Sequence, residues 1–182
     1  VTNEFGYEGR LTNRIIAIPE LLKEADYHTY MAGKWHLGKE LRSNPHQKGF
    51  EKSFVLISGA GNHYTNQSAL RGGTSNYTEN GESVLWEDGN YSTDFYTDKL
   101  IEYIDDNKND GKPFFAFAAY TSPHWPLQVD KKHWEKYKGL YDGGYEKLRE
   151  KRFNSLKKAG IIPQGAMLPP VHERVTPWDS LS

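Results

Sequence analysis

Cysteine is absent from this 182-residue chain, and with it go disulfides, thiolate zinc sites and cysteine nucleophiles. Long apolar runs are missing too. The longest, Phe114 to Tyr120, is far too short to span a bilayer, and no charged-then-apolar leader opens the sequence. No membrane partner is expected. An excess of positive charge is also lacking: 23 lysines and arginines face 24 aspartates and glutamates, for a net charge of −1. A dedicated nucleic-acid binder usually carries a strong basic surplus, so no nucleic-acid partner is expected either. There is no internal repeat and no low-complexity tract. What the chain has instead is aromatic mass, with twelve Tyr and five Trp, which suits an ordered protein with rigid pocket walls.

The pattern along the chain is that of an α/β protein. Ile18-Pro19-Glu20-Leu21-Leu22-Lys23-Glu24-Ala25 reads as a short amphipathic helix, with proline at a first helical position and an acid in the first turn. It feeds Tyr27-His28-Thr29-Tyr30-Met31-Ala32, a run of β-formers bounded by Gly33. A second strand is expected at Ser53 to Ile57. The polar stretch from Ser58 to Tyr91 is either a functional excursion or disordered. Asp88-Gly89, flanked by Val84-Leu85-Trp86 and Tyr91, suggests a small hairpin within it. Thr93-Asp94 then opens a helix carrying Tyr96, Leu100, Tyr103 and Ile104 on one face, closed by Gly111 and Pro113. The continuous apolar run from Phe114 to Tyr120 predicts a strand buried on both faces.

Between Lys131 and Lys158 ten basic residues meet four acidic ones, a local balance of +6. A helix from about Tyr145 to Lys158 is expected there, apolar at Tyr145, Leu148 and Leu156, with its charges solvated. From Ala159 to Ser182 the chain holds several prolines and no clear period.

Two strand ends each deliver a histidine: Gly33-Lys34-Trp35-His36-Leu37-Gly38 follows the first strand, and Thr121-Ser122-Pro123-His124-Trp125-Pro126 follows the apolar one. Open α/β sheets bind ligands past the carboxyl ends of their strands. A lysine is a compact cation with three donors, suited to an anionic oxygen. A histidine gives or takes a proton near neutral pH. If the backbone stays extended, Lys34 and His36 point to the same side, because strand side chains repeat every second residue. One cation and two imidazoles at neighbouring strand ends would suit an oxyanion such as sulfate or phosphate. Alone, Lys-x-His is a weak signal, since a loop histidine is more often a plain hydrogen-bonding residue.

In order along the chain these pieces resemble the sulfatases. Leu21 to Thr29 followed by Gly33-Lys34-Trp35-His36-Leu37-Gly38 looks like that family's second signature, and Ser122-Pro123-His124-Trp125-Pro126-Leu127 like its second histidine loop. Gly49-Phe50, Gly61-Asn62-His63-Tyr64 and the Thr93-Asp94 helix start resemble bacterial arylsulfatases in particular. The resemblance runs from about Gly6 to Lys158. It implies a part of an alkaline-phosphatase-like α/β fold, with a mostly parallel central sheet flanked by helices, acting on a small-molecule sulfate ester. Residues 1–158 would be an internal segment of the catalytic domain and 159–182 an irregular tail of the same domain. It further implies that Lys34 contacts the sulfate and the leaving oxygen, that His36 bonds a formylglycine nucleophile and helps release sulfate, and that His124 binds sulfate and shares in protonating the leaving group. Asn62 and His63 would line the substrate entrance, with a structural loop role as the open alternative. Trp35 and Trp125 are read as core packing before pocket wall. A soluble protein of bacterial cytoplasm or periplasm is the corresponding expectation.

The family's Cys/Ser-x-Pro-x-Arg nucleophile motif has no match. Ser43-Asn44-Pro45-His46-Gln47 imitates its start but lacks the arginine and falls after the lysine–histidine motif, so Ser43 is read as a decoy. The acidic pairs Glu87-Asp88 and Asp105-Asp106 read as solvent-facing, and no convincing oxygen set for a hard cation is present. The calcium that the resemblance implies would find its ligands outside this stretch. The expected partner is therefore the remainder of a sulfatase chain. A phosphodiesterase or phosphonate hydrolase of the same superfamily, and a non-catalytic anion-binding module, stand as alternatives.

Overall fold

The computed structural model describes residues 4–69 and 72–181. Its chain divides between Val129 and Asp130 into two compact units.

The first unit is built on a mixed sheet. Helix α1 (Ile18–Glu24) has Pro19 in its first turn, and the Glu20 carboxylate accepts the free Ala17 N–H at 3.2 Å. Strand β1 (His28–Lys34) follows, then two 3-10 turns, strand β2 (Lys52–Leu56), the hairpin β3 (Tyr77–Glu79) and β4 (Glu82–Val84), helix α2 (Ser92–Asn107) and strand β5 (Phe114–Ala119). The sheet order is β4-β3-β2-β1-β5. β1 runs parallel to both β2 and β5, whereas β3 and β4 are antiparallel additions. Period-two alternation sorts the strand residues between two faces. Tyr30, Ala32, Phe54 and Leu56 meet Tyr96, Leu100 and Tyr103 of α2, while Met31 and Val55 meet Trp35, Phe50 and Ile57 on the other side.

Two expectations are corrected here. The hairpin turn is Asn80-Gly81, not Asp88-Gly89; Asn80 and Gly81 have φ of 50° and 91°, the left-handed pair that a tight two-residue turn needs. Trp86 instead packs into the core against Phe95, ring centroids 4.9 Å apart. The apolar run from Phe114 is an edge strand, not one buried on both faces. It pairs with β1 alone, and Phe114 and Phe117 remain 51 % and 46 % exposed. Apolarity on both faces records what a strand can bury, and here no neighbour on its outer side does so.

The second unit holds a short helix α3 (Lys131–Trp134), helix α4 (Gly144–Lys158) and the proline-containing tail. The tail has structure of its own. Its Trp178 ring stands edge-on to Tyr145 at 5.6 Å and covers Gly144, where φ is 86° and a β-carbon would collide with the indole. The Trp178 N–H donates to Glu146 at 3.0 Å, and Arg149 donates to the Pro169 carbonyl at 2.6 Å.

Candidate functional site

Lys34 is the last residue of β1, and the loop after β5 starts where β1 ends because Gly33 stands opposite Ala119. Glycine is required at that position. Its φ is 123°, and a β-carbon would run into the Ala119 carbonyl. The ladder continues one residue past the strand, with Trp35 N–H donating to Leu56 carbonyl at 2.9 Å. The Trp35 ring is buried, and its indole N–H donates to the Ser43 carbonyl at 2.8 Å. The core-packing reading of Trp35 therefore holds.

His36 leaves the sheet. Its φ of 55° is left-handed, so strand alternation stops short of it and does not set its direction relative to Lys34. The ring lies instead over the turn after β2: a β-carbon built on Gly59 would sit 2.6 Å from His36 Nε2. His36 is exposed and Lys34 half-buried. Among the described residues, neither the Lys34 ammonium nor the His36 ring has a hydrogen bond or ion pair. A cavity of about 550 Å³ opens beside His36, with Leu11, Ile15 and Leu37 among its apolar walls and Arg10 and Arg14 among its cations. Arg14 is paired with Glu8, and Arg10 lies 3.5 Å from Glu40.

His124 is carried by the exposed tip of the loop after β5. Its N–H donates to the Thr121 carbonyl at 3.0 Å, and Nδ1 lies 2.8 Å from the Trp125 carbonyl. A carbonyl only accepts, so Nδ1 carries a proton and Nε2 is left to exchange one. Trp125 is exposed beside it, ring centroids 5.3 Å apart, and is not a core residue. The parallel register thus brings Lys34, His36 and His124 to the carboxyl end of β1, β2 and β5, with no hydrogen bond among the three.

The Gly61-Asn62-His63-Tyr64 loop follows β2. Asn62 Oδ1 accepts from the Tyr64 and Thr65 N–H groups at 2.9 and 3.1 Å, the local turn that asparagine favours. His63 is only 2 % exposed, with Nδ1 2.6 Å from Ser92 Oγ. Burial lowers its pKa below the ordinary 6.5. This buried histidine–serine pair escaped the sequence reading, although Ser92 stands one residue ahead of the expected helix start.

Ser43 is buried in a 3-10 turn, donating to the Glu40 carbonyl at 2.9 Å. Glu87, Asp88, Asp105 and Asp106 are exposed, and Asp106 is paired with Lys52 at 2.6 Å. Among the described residues no three His, Asp or Glu side chains converge on a point where a metal ion would sit. The residues present do not fit a divalent cation.

A family model described as Sulfatase matches residues 2–160. An uncharacterized sulfatase of Schizosaccharomyces pombe is 38 % identical over 97 % of this chain, which covers 33 % of that protein. An arylsulfatase of Klebsiella aerogenes is 36 % identical over 97 % of the chain and is covered to 38 %. Among solved structures, Ps i-CgsB in complex with k-i-k-neocarrahexaose is similar with a TM-score of 0.59 at 26 % identity, over 67 % of this chain and 30 % of that one. The chain spans about a third of the length of these relatives.

Proposed function

This chain belongs to the sulfatase family, and from that premise we propose that it forms the substrate-side part of an arylsulfatase-like sulfuric ester hydrolase. Its substrate is a small-molecule sulfate monoester. The observation that carries the reading is the pairing of Gly33 with Ala119, which sets the lysine–histidine loop and the second histidine loop side by side.

The residues have the chemistry for it. Lys34, an ammonium without a partner among the described residues, binds the sulfate and stabilises negative charge as it develops on the leaving oxygen. His124 hydrogen-bonds the sulfate and, when protonated, passes the Nε2 proton to that oxygen as its bond to sulfur breaks. The Nδ1 bond to Trp125 keeps the ring in the orientation that leaves Nε2 available. His36 moves a proton at the nucleophile. That nucleophile, a formylglycine on this reading, and the divalent metal, calcium by expectation, belong to polypeptide outside these 182 residues. Asn62, half-exposed in its turn, lies on the loop that borders the entrance. The open edge of β5, with Phe114 and Phe117 uncovered, is consistent with further strands from the remainder of the chain.

The test is turnover of 4-nitrophenyl sulfate by the longer polypeptide that carries this segment. Lys34→Ala and His36→Ala should each lower kcat/KM by about 10²–10⁴-fold, and His124→Ala should do so on an alkyl sulfate, whose leaving alkoxide needs the proton, with circular dichroism unchanged. Near-wild-type turnover in all three would overturn the reading, as would faster hydrolysis of 4-nitrophenyl phosphate than of the sulfate.

A further inference from the structure

We propose that His63 is a positioning residue for His124, clamping the loop that carries it to the start of α2; this rests on the role given to His124 above. The loop's tip offers little to hold itself. Pro123, His124 and Trp125 are exposed, and the bond from His124 Nδ1 to its neighbour's carbonyl is local. The anchorage comes from beneath. The His63 N–H donates to Gln128 Oε1 at 2.9 Å, fastening the far end of the loop. The backbone of that loop at His124 and Pro126 acts on the His63 side chain, opposing the lowering of its pKa by burial. The ring is also fixed to the start of α2, where Ser92 Oγ lies 2.6 Å from Nδ1.

The remaining bonds point the same way. The His63 carbonyl accepts the Ser92 N–H at 2.8 Å, tying the residue to the helix start. Ser122, at the near end of the loop, lies 3.3 Å from the Tyr91 hydroxyl and 3.2 Å from Thr93 Oγ1. The Tyr91 ring packs 5.8 Å from His63. Both ends and the middle of the loop are therefore held to one segment, with a buried imidazole as the central link. A histidine so enclosed does not touch substrate. It acts through the loop above it, and burial favours its neutral form.

Misplacing a reacting group by about 1 Å costs on the order of 100-fold in rate. In the longer polypeptide, His63→Leu should lower kcat by about that factor on an alkyl sulfate, whose leaving alkoxide needs a proton. On 4-nitrophenyl sulfate, whose phenolate leaves without one, the loss should be much smaller. KM should change little on either substrate. His63→Gln, which restores an N–H, should recover most of the loss. If His63→Leu does not fold, Ser92→Ala carries the test, with a loss of up to about tenfold of the same leaving-group dependence. Equal losses on both substrates would overturn the inference, as would no loss or a change confined to KM. His124→Ala separates the two levels. If it shows the leaving-group dependence and the His63 and Ser92 variants do not, only the inference falls; if His124→Ala lacks it, the role of His124 falls and takes the inference with it.

Discussion

A rise in pH should weaken the fold at His28. This residue opens β1 with its side chain 14 % exposed, Nδ1 2.8 Å from Glu51 Oε2 and Nε2 2.6 Å from Asp110 Oδ2. The bond to Glu51, and after it the bond to Asp110, raises the imidazole pKa above its ordinary 6.5, against the opposing pull of burial. Asp110 stays ionised, since the Lys112 N–H and then His28 lower its own pKa. The nearby Lys112 ammonium is taken up by Asp26. Because protonation is favoured in the folded state, the stabilisation is complete below about pH 6.5 and is lost as pH climbs through the raised value. Glu51 and Asp110 are 30 % and 39 % exposed, so solvent screens the pair. For His28 the gain is nearer that of a good surface ion pair, about 1 kcal/mol, than that of a buried one. A loss of that size lowers the melting temperature of the longer polypeptide by about 1–2 °C, since the shift shrinks as the chain lengthens. Thermal melts of wild type and His28→Gln from about pH 5.5 to about pH 9 should show the variant's deficit at the acid end and its disappearance at the alkaline end. Turnover should not change, because His28 and Lys34 stand at opposite ends of a strand roughly 20 Å long. A deficit that stays constant across the whole range would refute the reasoning.

Ser43→Ala should leave the activity of the longer polypeptide intact while costing about 1 kcal/mol of stability through the lost Glu40 bond; abolished turnover would make the buried serine more than a decoy. The 182-residue chain made alone should not turn over 4-nitrophenyl sulfate and should aggregate through the β5 edge, which is both unpaired and apolar. Light scattering and chromatography check this, and Phe114→Lys with Phe117→Lys should increase the soluble fraction. A sharp cooperative melt of a soluble wild-type monomer would count against the missing-strand account.

Elements with a strong local signal were legible in the sequence. The proline and acid of α1, the 3.6-residue spacing of Tyr96, Leu100 and Tyr103 in α2, and the β-rich run before Gly33 all lie within a few residues of the observed elements. So was the chemistry of the candidate site, because lysine, histidine and their spacing from strand ends are properties of the chain itself. Ser43 was set aside by the same route, from a missing arginine and its order relative to Lys34, and the structure shows it buried. The hairpin was misplaced because two dipeptides with glycine competed, and it is the strand before Asn80-Gly81 that pairs with β2.

Composition and local spacing, then, determined the α/β class, helices α1 and α2, and the placing of a lysine and two histidines just past strand ends. The tertiary structure alone decided that β5 is an edge, that His36 turns out of the sheet over Gly59, and that His63 is buried against Ser92. Each of these depends on residues distant in sequence: Phe117 has no strand on its outer side among the described residues, His36 meets Gly59, and His63 meets Ser92. Burial and hydrogen-bond partnership are properties of pairs, and periodicity along one strand of text carries only half of each pair.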